Sequence, residues 1–241
     1  MKVDFLDWDS EFLGIPVVRM SAATVDPRGL REGIASLRMK GVGLVYLFLD
    51  APLSERDAAQ LRAYPVDEKL TYRIPIDGSC HGEIAPAVTP YIPEMPLGDL
   101  EDLALQSGLW SRFRVDPDFP REKFVELYRL WLRRSITKEI ADEVLTISET
   151  RRVCALITLS EAGHTGRIGL LAVDAGFRGR GFGTQLVNAA KHWFWSRRLT
   201  YGEVVTQKAN LAACKLYESC GFRVHRVEYL YHLWLCKPHG H

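Results

Sequence analysis

Between a β-rich run ending at Val173 and a helical run beginning near Thr184 lies Arg178-Gly179-Arg180-Gly181-Phe182-Gly183, and this junction constrains the fold more than any other stretch of the chain. The residues after it, TQLVNAAKHWFWSRR, place Leu186, Val187, Ala190, Trp193 and Phe194 on one face of a helix. The order is therefore strand, glycine turn, helix. Backbone N–H groups at such a helix start lack intrahelical partners and point the same way, so together with the helix dipole they form a site for a phosphate or pyrophosphate. Glycine lets the backbone approach the anion closely, and Arg178 and Arg180 add positive charge beside it. Read alone, the same residues also suit a tight turn with a solvated arginine edge. A Gly-Lys-Ser/Thr ending is missing, and the turn comes late in the chain rather than after the first strand of a βαβ unit, which argues against ATP and NAD.

Upstream, the hydrophobic pattern divides the 241-residue chain. Leu30, Ile34 and Leu37 recur at helical spacing, Leu44 to Leu49 is an apolar run of strand length, and Leu70 to Ile76 alternates as a strand does. These make a small α/β domain over residues 1–82. The segment from Asp77 to Leu97 carries four prolines and two glycines, suits an irregular connection, and puts the boundary near Gly82. A second domain follows over 83–241. It opens with helices, from Leu100 to Gln106 and along the Phe124, Leu127, Tyr128, Trp131 face. The β-rich runs Val144–Ser148, Val153–Ser160 and Arg167–Val173 then form an antiparallel meander before the glycine turn.

A further strand, Glu203–Gln207, leads to Asn210-Leu211-Ala212-Ala213-Cys214-Lys215-Leu216-Tyr217-Glu218-Ser219-Cys220-Gly221-Phe222. Asn210 suits an N-cap, and Gly221 with Phe222 suits a C-terminal cap with its hydrophobic contact. The pair Arg-x-x-Gly-x-Gly and, downstream, Asn-x-x-Ala-x-x-x-Tyr-x-x-x-Gly-Phe resembles the GNAT family of acyltransferases, and the resemblance covers about Glu83 to Leu235. It implies an α/β fold with a partly open mixed β-sheet flanked by helices, the smaller α/β domain preceding it, and acetyl-CoA as co-substrate. By the same resemblance the strand Leu170, Leu171, Ala172 and Val173 pairs with the pantetheine arm. Arg178, Gly179, Arg180, Gly181, Phe182, Gly183 and Thr184 hold the pyrophosphate, Asn210 and Ala213 contact the pantetheine region, and Tyr217 faces the thioester sulfur.

Aminolysis of a thioester needs a positioned neutral amine, a polarised carbonyl and a proton for the departing thiolate. Tyr217 is the candidate general acid, because a phenol with an ordinary pKa near ~10 stays protonated at neutral pH. Many family members carry a glutamate on the strand matching Arg167–Val173, and this strand has no carboxylate. Water relayed through Thr206 and Gln207, or Glu203 or His164, are the alternatives, and no base is named.

Within the family the chain is most similar to acetyltransferases that modify dTDP-4-amino-4,6-dideoxygalactose in bacterial surface-polysaccharide synthesis. The resemblance rests on the opening Leu6-Asp7-Trp8-Asp9-Ser10-Glu11-Phe12-Leu13-Gly14, on the helix-connecting loop at Ser111, Arg112, Phe113 and Arg114, and on the strands Arg167-Ile168-Gly169-Leu170-Leu171-Ala172 and Val205-Thr206-Gln207. It implies a nucleotide-linked amino sugar as acceptor, with Ser111, Arg112, Phe113, Arg114, Thr206 and Gln207 on the substrate side. Arginines and an aromatic suit a ligand with a diphosphate and a base. Phe113 packed under its loop and Trp8 and Phe12 acting as anchors are the structural alternatives. A protein N-terminus, small amine or antibiotic as acceptor, and a non-catalytic CoA-binding module, stay open.

A formal net charge of +1 with 25% charged residues is that of an ordinary globular protein and argues against a nucleic-acid partner. Five cysteines without a CxxC pair read as reduced thiols of a cytoplasmic protein, with no metal site. The acidic start MKVDFLDWDSEFLG is unlike a signal peptide, and no run of eighteen uncharged apolar residues indicates a membrane span. Oligomeric state stays open, a homodimer included.

Overall fold

The computed structural model describes residues 1–23, 26–80 and 84–236. In chain order the elements are β1 (Lys2–Phe5), α1 (Asp7–Leu13), β2 (Val17–Ala22), α2 (Pro27–Met39), β3 (Leu44–Leu49), α3 (Glu55–Leu61), β4 (Tyr64–Pro75) and β5 (Val88–Pro90). They continue with α4 (Leu97–Ser107), α5 (Arg112–Val115), α6 (Arg121–Ile136), β6 (Glu143–Glu149), β7 (Arg152–Ala162) and β8 (Thr165–Val173). The last are α7 (Phe182–Ser196), β9 (Tyr201–Gln207), α8 (Leu211–Ser219) and β10 (Arg223–Trp234). Among the described residues no helix is long and apolar enough to cross a membrane.

The chain divides into two compact units, one of Met1–Lys69, Ser111–Lys123 and Val227–His241, the other of Leu70–Trp110 and Phe124–Arg226. The expected boundary at Gly82 lies outside the described residues. In the first unit the strand order is β1-β2-β3-β10, with β2 parallel to β3 and the other two pairings antiparallel. Every residue of β3 is buried, as expected for an apolar run with neighbours on both edges and both faces covered. Leu30, Ile34 and Leu37 of α2 face this sheet and join Val18, Met20, Val45, Leu47 and Leu233 in one core. Each such side chain contributes about 1.5–3 kcal/mol by leaving water. Asp26 caps α2 by accepting from the N–H of Arg28, and Pro27 opens the helix where a missing N–H costs nothing.

In the second unit the order is β4-β9-β8-β7-β6-β5. The meander β6-β7-β8 is antiparallel as its sequence suggests, and β8 runs parallel to β9, which makes the sheet mixed. Leu100, Leu103 and Ala104 of α4 and Leu132 of α6 pack with Val153, Leu156 and Ala172 of the sheet. Phe194 of α7 lies over Gly166 and Gly202, where a Cβ would sit 2.1 Å and 2.9 Å from the ring.

Three local expectations need correction. The strand read from Leu70 begins at Tyr64, because the polar residues Asp67 to Lys69 hide the alternation in the sequence yet sit half-buried on an extended backbone that accepts them. The proline-rich connection contains β5, a three-residue strand antiparallel to β6 at the sheet edge, where proline is tolerated. The segment Arg112–Val115, read as loop, is a single helical turn.

Candidate functional site

Strand β8 is the first device. Ile157 faces Leu171 and Leu159 faces Ile168, so Gly169 and Leu170 together oppose Thr158, forming a bulge. Thr158 Oγ1 fills the gap by accepting from Leu170 N–H at 2.8 Å, and Gly169 allows this because a Cβ there would lie 2.7 Å from that oxygen. On its other side β8 pairs with β9 only from Thr165 to Ile168. Beyond the bulge the two parallel strands part, and the edge of Leu171–Val173 is left with backbone groups to offer.

The second device is the turn that follows. Asp174 accepts from the N–H of Gly176, Gly179 has φ 77° and Gly181 φ 80°, both in the left-handed region that glycine enters without strain. Gly181 is the N-cap of α7 and offers no side-chain hydrogen bond, so the first N–H groups of a fifteen-residue helix are not satisfied by a cap. Arg178 donates from Nε to the carbonyl of Val173 at 3.1 Å and from Nη2 to Gln106 Oε1 at 3.3 Å.

Helix α8 supplies the third wall. Asn210 Oδ1 accepts from Ala213 N–H at 3.2 Å, which holds the helix start and leaves the side-chain NH2 for another partner. Tyr217 is buried, its ring centroid 6.0 Å from those of Tyr72 and Phe222. Burial pushes its phenol well above the usual range, with Cys220 and Cys214 adding to the shift. Tyr72 in turn donates to Glu218 Oε1 at 2.8 Å.

These three devices enclose a cleft of about 410 Å3. The sequence-derived residues Leu171, Ala172, Val173, Arg178, Gly179, Gly181, Phe182, Gly183, Thr184, Asn210, Ala213 and Tyr217 all line it. Leu170 and Arg180 do not. Leu170 packs with the α4 core, and Arg180 makes a bidentate ion pair with Glu149 while lying over Phe177 and Phe182. Gln106, Leu109, Trp110, Phe177, Ala212 and Leu216 line the cleft as well and were not singled out in the sequence. The exposed apolar pair Leu109 and Trp110, just past a helix end, was the available signal.

Among the base alternatives, Glu203 pairs with Arg73 at 2.5 Å and sits opposite Arg167. His164 precedes β8 at the end remote from Val173, and its carbonyl accepts from Thr200 N–H. Neither lines the cleft. Thr206 is buried and Gln207 half-buried, its carbonyl accepting from Asn210 N–H, and both are outside the lining.

The remaining residues expected on the substrate side, Ser111, Arg112, Phe113 and Arg114, belong to the first unit. The Arg112 guanidinium stacks on Tyr46 at 4.0 Å and on Phe113 at 4.5 Å. Phe113 is buried against Phe119, Ser111 is buried, and Arg114 is half-buried. Next to them Asp116 Oδ2 accepts from Trp234 Nε1 at 2.9 Å and meets His232 Nδ1 at 2.6 Å. Burial pulls the His232 pKa down to about 4 against the opposing hydrogen bond of Asp116, so the ring is neutral and Nδ1–H donates.

Comparison with known proteins gives the same picture. Residues 104–222 match the model of the Acetyltransferase (GNAT) family. Over 231 residues the chain is 28% identical to the dTDP-fucosamine acetyltransferase of Escherichia coli O6:H1 (strain CFT073), with 95% of this chain and 96% of that protein covered. Over 147 residues it is 29% identical to the spore coat polysaccharide biosynthesis protein SpsD of Bacillus subtilis (strain 168), covering 57% of this chain and about half, 48%, of that protein. The crystal structure of a GCN5-related N-acetyltransferase from Sphaerobacter thermophilus superposes with a TM-score of 0.61 at 16% identity, covering 97% of this chain and 76% of that one, which establishes a shared fold. Every residue lining the cleft falls inside the matched segment, so residues 104–222 carry an acetyltransferase domain of the GNAT type, the acyl-CoA-dependent kind.

Proposed function

We propose that the chain transfers an acetyl group from acetyl-CoA to the amine of a nucleotide-linked amino sugar of the dTDP-4-amino-4,6-dideoxyhexose type, for bacterial surface-polysaccharide synthesis in the cytoplasm. The observation that carries the donor half is the continuous run from an unpaired strand edge at Leu171–Val173 into the left-handed glycine turn and the uncapped start of α7. A pantetheine amide adds to that edge as a short strand does, and the pyrophosphate takes the N–H groups and Arg178. Asn210 donates its side-chain NH2 to the pantetheine arm.

The amine nitrogen attacks the thioester carbonyl, the C–S bond breaks, and the thiolate takes the proton of Tyr217. The proton lost by the nitrogen returns to the phenolate through water, so the enzyme is regenerated. Burial keeps Tyr217 protonated at neutral pH, which is the state a general acid needs. The acceptor half is supported by the full-length similarity to a protein named dTDP-fucosamine acetyltransferase and by the shorter one to a polysaccharide biosynthesis protein. Arg112 and Arg114 are the residues of this chain proposed to meet the acceptor's diphosphate.

Purified protein with acetyl-CoA is offered dTDP-4-amino-4,6-dideoxyhexoses, peptides with free N-termini, and aminoglycosides, and products are read by mass spectrometry. Acetylation of the nucleotide sugars above the other amines is expected. Preference for a peptide or drug would replace the acceptor, and no transfer to any amine would replace the enzyme by a CoA-binding module.

A further inference from the structure

Gln106, in the last turn of α4, is the residue on which the anion-binding turn converges. Its Nε2 donates to Asp174 Oδ2 at 3.1 Å, and its Oε1 accepts from Ala175 N–H at 3.1 Å and from Arg178 Nη2 at 3.3 Å. Only one orientation of the carboxamide satisfies all three, because the carboxylate can only accept and the other two groups can only donate. One side chain thus fixes the residue before the turn, the first amide of the turn and the guanidinium beside it. Arg178 spends two of its five N–H donors on Gln106 and Val173, and this directs the remainder. Asp174, held by Gln106 and by Gly176 N–H, keeps its own acceptors off that guanidinium.

We propose that Gln106 is a positioning residue for the acyl donor, setting the Arg178 guanidinium and the Asp174–Phe177 turn for a pyrophosphate rather than for the thioester. The inference rests on the reading of the cleft as an acyl-CoA site. It requires that loss of Gln106 weaken only donors that carry the pyrophosphate.

The test compares acetyl-CoA with S-acetylpantetheine, which keeps the thioester and pantetheine but lacks the pyrophosphate and nucleotide. Dissociation constants are measured by titration calorimetry for the first and by ligand-observed NMR for the second. For Gln106→Leu the acetyl-CoA constant should rise roughly 10- to 100-fold, the range expected for lost hydrogen bonds to charged groups. That for S-acetylpantetheine should stay within about 2-fold, because no contact to that part changes. Gln106→Glu should bind acetyl-CoA as poorly, since it sets a carboxylate against Asp174. Adding Asp174→Asn to it exchanges donor and acceptor and should recover most of the affinity. Equal losses for both donors, an unchanged acetyl-CoA constant, or no recovery in the double variant would each overturn the inference. A wild-type protein that binds neither donor would overturn the acyl-CoA reading itself and the inference with it.

Discussion

Replacing Tyr217 by phenylalanine separates chemistry from architecture in this site. The ring keeps its contacts with Tyr72 and Phe222, and the hydroxyl makes no hydrogen bond among the described residues, so its removal strands no donor or acceptor. Folding stability should therefore change by less than about 1 kcal/mol. Acetyl-CoA affinity should hold within about 3-fold, because the strand edge, the glycine turn and the Asn210 cap are untouched. Turnover should fall by about 10²- to 10⁴-fold, the usual worth of a general acid, or about 3–5 kcal/mol of barrier. A thiol-reactive dye would also report Cys236, the exposed one of the five cysteines, so acetylated product is better followed by mass spectrometry. Turnover within about 3-fold of wild type would remove Tyr217 from the mechanism, whereas loss of acetyl-CoA binding would make it a binding residue.

Two further outcomes test the scaffold around the site. Thr158→Val leaves the N–H of Leu170 without its acceptor inside the bulge, and thermal or urea unfolding should show a loss of about 1–3 kcal/mol; an unchanged midpoint would mean that the bulge does not depend on that bond. His232 has a folded pKa of about 4 against an ordinary 6.5, so between those values the unfolded chain binds a proton that the folded chain does not. Stability should then fall by about 3 kcal/mol as pH drops from 6.5 to 4, and urea unfolding of His232→Gln should lack that slope. The lowered Asp116 carboxyl, outweighing its burial through hydrogen bonds from His232 and Trp234, acts in the same direction but below pH 3.8. An equal slope in wild type and variant would show that other groups carry the acid sensitivity.

What sequence spacing alone determined here is mostly local. Apolar periodicity located α2, α4, α6 and α7, and apolar or β-rich runs located strands β3 and β6 to β9, because each is long enough for its pattern to show. The glycine turn and the Asn210 cap were legible for the same reason, since a left-handed backbone or a helix start restricts residue type at a fixed offset. The short helices α1, α3 and α5 passed unnoticed, as one or two turns leave no period to detect.

Tertiary structure alone decided the rest. The first unit gathers three separate stretches of chain, and its strand β3 pairs with β10 through Leu49 and Tyr229, a union that no local pattern announces. Arg178 and Arg180 are two residues apart and identical in composition, yet the fold gives one to the cleft and the other to Glu149. Gln106 was visible only as a polar residue at a helix end, until the end of β8 was brought beside it. Spacing along the chain fixes which backbone shapes are affordable, whereas the partner that each charged or polar side chain meets depends on contacts between residues far apart in the sequence.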